Sequence, residues 1–229
     1  MQYLIRIILI ALAFILGASY SLAQRPDEVR IIKDMAFIPA LAIGKWMIAP
    51  DKLPARWLDT KYFGKSLREP INIIIIDERT SDPNEARKNL YLACQSAGFE
   101  ARKGHSGGYS AFIAGKWYPQ LPSEKDQAFS SAPYEFNNNH GRIFGPHISS
   151  GKSIFTAAFS REEIDPLEKV KHVFNSFNRA RDHFALEMDR QTCFKIKKFI
   201  NLENVFIADP NITTGDHDGI AVLLVCEKK

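Results

Sequence analysis

Ile71-Asn72-Ile73-Ile74-Ile75-Ile76 is the stretch on which the fold turns. A half-exposed strand alternates apolar and polar residues, whereas five isoleucines in six positions leave no wet face, so this segment reads as a central strand covered on both sides. Just downstream, Asp82-Pro83-Asn84-Glu85 predicts a helix start. Asp82 takes the N-cap, Pro83 the first helical position, Glu85 completes a capping box, and Gly98 marks the stop. Ala86, Leu90, Ala93, Cys94 and Ala97 recur at spacings of three and four, which places one apolar stripe against the sheet. Runs at 99–101, 111–117, 141–144 and 153–159 read as strands separated by Gly, Pro, Asn and Ser. A second amphipathic helix is expected over 176–190, and runs at 194–199 and 220–225 close the chain. The succession of strand, helix, strands, helix, strands predicts an α+β (mixed α/β) fold, a single domain with two main helices packed on a central sheet.

Outward from that domain, residues 1–23 carry Arg6, an apolar run over 7–16, and small residues at Ser21 and Ala23. This is the pattern of a signal peptide, with cleavage expected after Ala23. The run is shorter than the roughly 20 residues of a comfortable bilayer span, so no stable membrane span is expected after cleavage. No cysteine adjoins the cleavage site, which excludes a lipoprotein anchor, and the address is periplasmic or secreted. Residues 24–64, with a strand-like run at 29–32, read as a leader wrapping the domain, which occupies 65–229.

The 30 basic and 26 acidic residues are mixed along the chain, which argues against nucleic acid as a partner. Lys195, Lys197 and Lys198 alternate with Phe194, Ile196 and Phe199, as on the solvated face of a strand. Sixteen phenylalanines supply a core without repeats or low-complexity tracts. Of the three cysteines, Cys94 falls on the apolar helix face, while Cys193 and Cys226 occupy late strand-like segments that can be neighbours. A bridge between those two is one pairing open to an odd set in an oxidising compartment.

Polar chemistry concentrates in four places. Asn137-Asn138-Asn139-His140-Gly141-Arg142, with His147 after it, brings imidazole and guanidinium to a sheet edge, where they can hold a metal or an anion, although Asn-rich loops are also ordinary turns. Lys171-His172 precedes the second helix, and a junction there can point His172 back toward His140. On that helix Arg179, Asp182 and His183 can share a surface, or form an ordinary salt bridge worth about 0.3–0.5 kcal/mol. In Asp216-His217-Asp218-Gly219, alternation would send the two carboxylates one way and the imidazole the other. Gly104-His105-Ser106-Gly107-Gly108-Tyr109 lacks the spacing of a phosphate-binding loop and reads as a flexible hairpin loop. Neither a GxSxG elbow nor an HExxH motif is present, and the sequence names no cofactor.

Glu69-Pro70-Ile71-Asn72, Ser96-Ala97-Gly98-Phe99, Asp126-Gln127-Ala128-Phe129, His140-Gly141-Arg142-Ile143-Phe144, His172, Arg181-Asp182 and Asp218-Gly219 together resemble, in order and spacing, the LssY C-terminal domain-like family. The resemblance covers about residues 65–226. It implies the soluble domain of a family whose members often accompany membrane-embedded phosphatase-type segments, and it supplies no reaction. It does put His140, Arg142, His172, Arg181, Asp182 and Asp218 in one expected cleft, with His140 and His172 as the metal-ligand candidates. The leading expectation is a bacterial envelope domain that binds a ligand or an envelope protein there. The alternative is a metal-assisted hydrolase for a phosphorylated or lipid-derived substrate, with Arg142 as anion clamp and Asp182 as orienter.

Overall fold

The computed structural model describes residues 35–38, 41–165, 172–206 and 208–228. The signal-peptide segment 1–23, its expected cleavage site and the run at 29–32 lie outside the described residues. Four strands, β1 (Met35–Ile38), β2 (Leu41–Gly44), β3 (Arg56–Tyr62) and β4 (Lys65–Arg68), precede the isoleucine strand β5 (Ile73–Asp77). Helix α1 (Pro83–Ser96) follows, then β6 (Glu100–Lys103), β7 (Ser110–Ile113), β8 (Lys116–Leu121) and β9 (Gln127–Ser130). Two long strands, β10 (Asn138–Ser149) and β11 (Lys152–Ile164), lead to β12 (His172–Ser176) and α2 (Phe177–Gln191). β13 (Lys195–Asn201), β14 (Ile212–Thr213) and β15 (Ile220–Cys226) finish the chain.

This corrects the expected α+β class. The protein is mostly β, 48% strand against 16% helix, with two helices and a sheet curled into a half-barrel. Part of the excess lies where a strand's signal is polar rather than apolar: β10 runs from Asn138 to Ser149 rather than over the expected 141–144, and Asn138, Asn139, His140 and Arg142 are all buried in it. Within the single run expected at 111–117, the chain reverses at Ala114-Gly115, both at positive φ, to make the β7–β8 hairpin. Residues 41–57 add β2 to the large sheet and put Ile43, Met47, Ala55 and Trp57 into cores.

β5 lies between β11, antiparallel, and β15, parallel. Both of its faces are dry over Ile73–Ile75, and Ile76 is half-buried. Ile73 and Ile75 meet Leu90 of α1 and Phe184 and Met188 of α2, while Ile71 and Ile74 meet Ile43, Met47 and Phe144 across the sheet. At about 1.5–3 kcal/mol for each fully buried isoleucine side chain, this strand alone contributes on the order of the net stability of a domain, before chain entropy opposes it.

α1 starts where expected, with Asp82 Oδ1 accepting from the backbone N–H of Asn84 and Glu85 at 2.9 and 2.7 Å. The capping box closes differently. Glu85 accepts from the Thr80 hydroxyl at 2.7 Å, and that hydroxyl accepts the Asp82 N–H at 3.1 Å. At the other end Gly98 adopts φ 78°, Gly98 N–H bonds Gln95 O and Phe99 N–H bonds Cys94 O, the paired bonds of a Schellman stop.

Cys193 and Cys226 are disulfide-bonded, and Cys94 is free and buried. Closing a loop across 33 residues contributes about 2–4 kcal/mol by restricting the unfolded chain. β13 ends the large sheet. A bulge between Ile196 and Lys198 breaks the expected alternation there and leaves Phe199 60% exposed among lysines, which discourage edge-to-edge pairing. No helix among the described residues is long and apolar enough to cross a membrane.

Candidate functional site

β10 and β11 build the floor of the site. Their register pairs Asn138 with Glu162, His140 with Ser160 and Arg142 with Ala158. Because side chains alternate with period two, Asn138, His140 and Arg142 share one face of the sheet with Ser160 and Glu162. Of the residues between them, Ile143 and Phe159 serve the core on the opposite face, while Asn139 bonds His183 there. A Cβ on Gly141 would lie 2.5 Å from Phe159 Cγ, so glycine is what lets that ring lie against bare backbone. β12 pairs Ile164 with His172 and thereby places His172 on the Glu162 face. His172 thus sits in a strand rather than at a loop-to-helix junction.

His105 arrives from the segment after β6, held by its N–H on Asp126 O at 3.1 Å. This segment is not the flexible hairpin loop expected from its glycines, since β6 pairs with β9 and β7 with β8. The glycines answer to close approach. A Cβ on Gly104 would come within 2.7 Å of Tyr134 Cβ, and one on Gly107 within 1.8 Å of Lys125 O. That packing sets Tyr134 over the cluster, stacked on His172 at 4.0 Å and edge-on to His105 at 5.7 Å.

Three imidazoles converge on one carboxylate oxygen. Nδ1 of His172, His140 and His105 stand 3.2, 3.6 and 3.9 Å from Glu162 Oε1. The same oxygen accepts from Asn138 Nδ2 at 2.9 Å. His140 has an acceptor at each ring nitrogen, Asn138 Oδ1 at 3.2 Å from Nδ1 and the Ser160 hydroxyl at 3.5 Å from Nε2. With Asn138 Oδ1 and Glu162 Oε1 both facing Nδ1, that nitrogen carries the proton and Nε2 accepts from the Ser160 hydroxyl, whereas a metal held at Nδ1 would require the other tautomer, with the proton on Nε2 toward Ser160. Glu69, which follows β4, lines the same small cleft of about 50 Å³ with His105, Tyr134, His140, Arg142 and Glu162, and exposed Ser106 and Leu58 form its rim. Room of that size admits an ion with water or one small group.

Burial decides the charge states. It pushes His105 down to about 3 and His140 well below the usual imidazole range, with the Arg142 charge acting in the same direction. Both rings are therefore neutral and carry lone pairs at physiological pH. Burial raises Glu162, opposed by its Asn138 hydrogen bond and by His172 and Arg142, and lifts Glu69 to about 7 against the pull of Arg142.

The ligand atoms of His105, His140 and Glu162 lie within 4.8 Å of one another. Two ligands at Zn–N and Zn–O distances on one tetrahedral ion sit about 3.4 Å apart, a few tenths of an ångström inside the 3.6 and 3.9 Å at which His140 and His105 stand from Oε1. Neutral imidazoles and a carboxylate are the donor set of zinc and related divalent ions.

Of the six residues expected in one cleft, His140, Arg142 and His172 gather around Glu162. Arg181, Asp182 and Asp218 gather separately, where α2 meets the start of β15. There Arg181 donates to Asp182 at 2.7 Å, Asp218 at 2.6 Å and Ile220 O at 2.9 Å. The Arg179, Asp182 and His183 trio does not assemble. Arg179 bonds Asn175, and His183 bonds Asn139 and lies against Phe99. Asp216 accepts from Phe177 N–H at 2.7 Å and from the Ser176 hydroxyl, capping α2, while His217 turns inward to Asn204 at 2.8 Å. His147 bonds Tyr118.

From sequence alone His105, Glu162 and Tyr134 do not stand out as site residues, and Glu69 stands only within Glu69-Pro70-Ile71-Asn72. A signal for part of this was present: polar residues at 138, 140 and 142, and again at 160 and 162, alternate along strands whose other positions are apolar or glycine. No protein-family model, no curated protein and no solved structure matches this chain.

Proposed function

We propose that the chain is a metal-assisted hydrolase whose centre is a divalent ion, zinc by donor chemistry, held by His105, His140 and Glu162. The observation that carries this reading is the convergence of buried imidazoles on one carboxylate oxygen, with the ligand atoms of His105, His140 and Glu162 within 4.8 Å of one another. Three protein ligands leave a tetrahedral ion one position for water, whose pKa such an ion lowers toward 7. Glu69, in the same cleft and titrating near neutrality, is the group suited to exchange a proton with that water. His172, with Nδ1 3.2 Å from the same carboxylate oxygen and stacked under Tyr134, orients the carboxylate.

The proposal keeps the envelope address and the LssY C-terminal domain-like assignment. Residues 1–23 and the order of motifs support them, and a disulfide suits an oxidising compartment. A second reading, a metal-dependent binding domain without turnover, is favoured by the depth of the site, whose ligands are each at most 7% exposed.

Zinc titration of the whole protein, with metal analysis, tests the centre. One ion per chain is expected, with affinity lowered roughly 100-fold or more in His105→Ala, His140→Ala and Glu162→Gln, since loss of supporting partners alone costs 10–100-fold. Equal zinc binding by wild type and all three variants would refute it. Hydrolysis of phosphate and carboxylate esters by the zinc form, lost in Glu69→Gln with zinc retained, separates hydrolase from binding domain.

A further inference from the structure

Arg142 is the least satisfied charge in the site. It is 3% exposed, yet among the described residues no carboxylate lies within 4.0 Å of it. Its hydrogen bonds go from Nη2 to Ser106 alone, to the carbonyl at 2.7 Å and the hydroxyl at 3.4 Å. Its Nε is buried without a partner, and its flat face rests 5.1 Å from the Tyr109 ring. A guanidinium carries five donors and stays charged, so burying one with its Nε–H unpartnered and no carboxylate paired to it is unfavourable unless something else completes it.

The surroundings say what completes it. An imidazole that ligates a metal does so as the neutral ring, so a divalent ion together with Arg142 would outweigh Glu162 and leave the cleft with a positive surplus. That surplus calls for an anion, and the cleft has room for one small group rather than a whole substrate. A carboxylate has two oxygens, enough to engage a guanidinium fork or to bridge from it to a metal, but not both fully. A phosphoryl group has an oxygen for the metal and two for the fork. We propose that Arg142 binds the phosphoryl group of the substrate, so that this centre acts on phosphoesters that enter phosphate-first past Ser106. The proposal rests on the metal reading for its catalysis, whereas the Arg142 contact itself does not need the ion.

Calorimetric titration with inorganic phosphate, on the whole protein with and without zinc, tests the two separately. Wild type is expected to bind phosphate in both states, more tightly with zinc, and Arg142→Met to lose at least tenfold in the zinc-free state while zinc affinity stays within about threefold. Arg142→Lys, which keeps the charge but not the fork, is expected to fall between them. Phosphate binding that is absent from folded zinc-free wild type, or equal in Arg142→Met, overturns the proposal whatever zinc does. Acetate binding as tight as phosphate overturns it too. Failure to bind zinc with Arg142-dependent phosphate binding intact would sink the metal reading alone. Sedimentation with phosphatidylcholine vesicles doped with phosphatidic acid, if dependent on Arg142, identifies the phosphoryl source as a lipid; binding of inorganic phosphate without vesicle binding identifies a soluble ester.

Discussion

Arg142 and Arg181 are both buried guanidiniums, 3% and 5% exposed, and the fold treats them in opposite ways. Arg181 is flanked by Asp182 and Asp218, donates to the Ile220 carbonyl, and so ties α2 to the start of β15. Arg142 has Ser106 and the face of Tyr109, while the carboxylates that feel its charge, Glu69 and Glu162, stand beyond ion-pair distance. A charge whose partners are all intramolecular holds the chain together; a buried charge left short of partners is kept for something that comes from outside.

Truncation should separate the two most strongly. Arg181→Met is expected to lower unfolding free energy in urea by about 2–4 kcal/mol, because it strips bonds from two carboxylates and a carbonyl, tempered by the exposure of both acids. Zinc binding should be untouched. A loss under about 0.5 kcal/mol, half of what one ordinary hydrogen bond contributes, would break the contrast.

Next comes the pH dependence of Glu69. Its folded pKa, about 7, lies above the unfolded value, so its contribution to stability is full at low pH and is lost as pH rises through 7. Metal-free Glu69→Gln does not titrate, and should therefore gain on wild type between pH 5 and pH 8, by about 1–3 kcal/mol. A gap that is flat or narrows with pH would mean that Arg142 already pairs with this carboxylate in solution. Smaller still is Arg142→Met without ligand: a melting temperature unchanged or raised, within about 1 kcal/mol, opposite in sign to Arg181→Met. Smallest is Asp182→Asn, under about 1 kcal/mol, since this carboxylate is half exposed and Asp218 remains on Arg181.

The readable parts of this chain were those whose signals are local. The isoleucine strand, the Asp82–Gly98 punctuation of α1 and the apolar stripe of α2 stand in the sequence because burial on two faces, capping and helical period leave marks on neighbouring residues. The polar strands left weaker marks. The start of β10 resembles an Asn-rich turn, since its buried face carries Asn138 and His140, and a sequence with such strands suggests a smaller sheet and an α+β fold.

Half of the candidate site could be named residue by residue, but not its membership. His140, Arg142 and His172 were legible as functional residue types, whereas Arg181, Asp182 and Asp218 have the same types and belong to a structural clasp. His105, Glu69 and Glu162 are brought in from after β6, after β4 and from β11 by strand register and by the glycine contacts that seat Tyr134. By itself the sequence determined the central strand, the two helices and the chemical types available for a site, because each depends on neighbours along the chain. Only the tertiary structure decided which imidazoles meet which carboxylate and which arginine is left wanting a partner, because burial and register act between residues far apart in sequence.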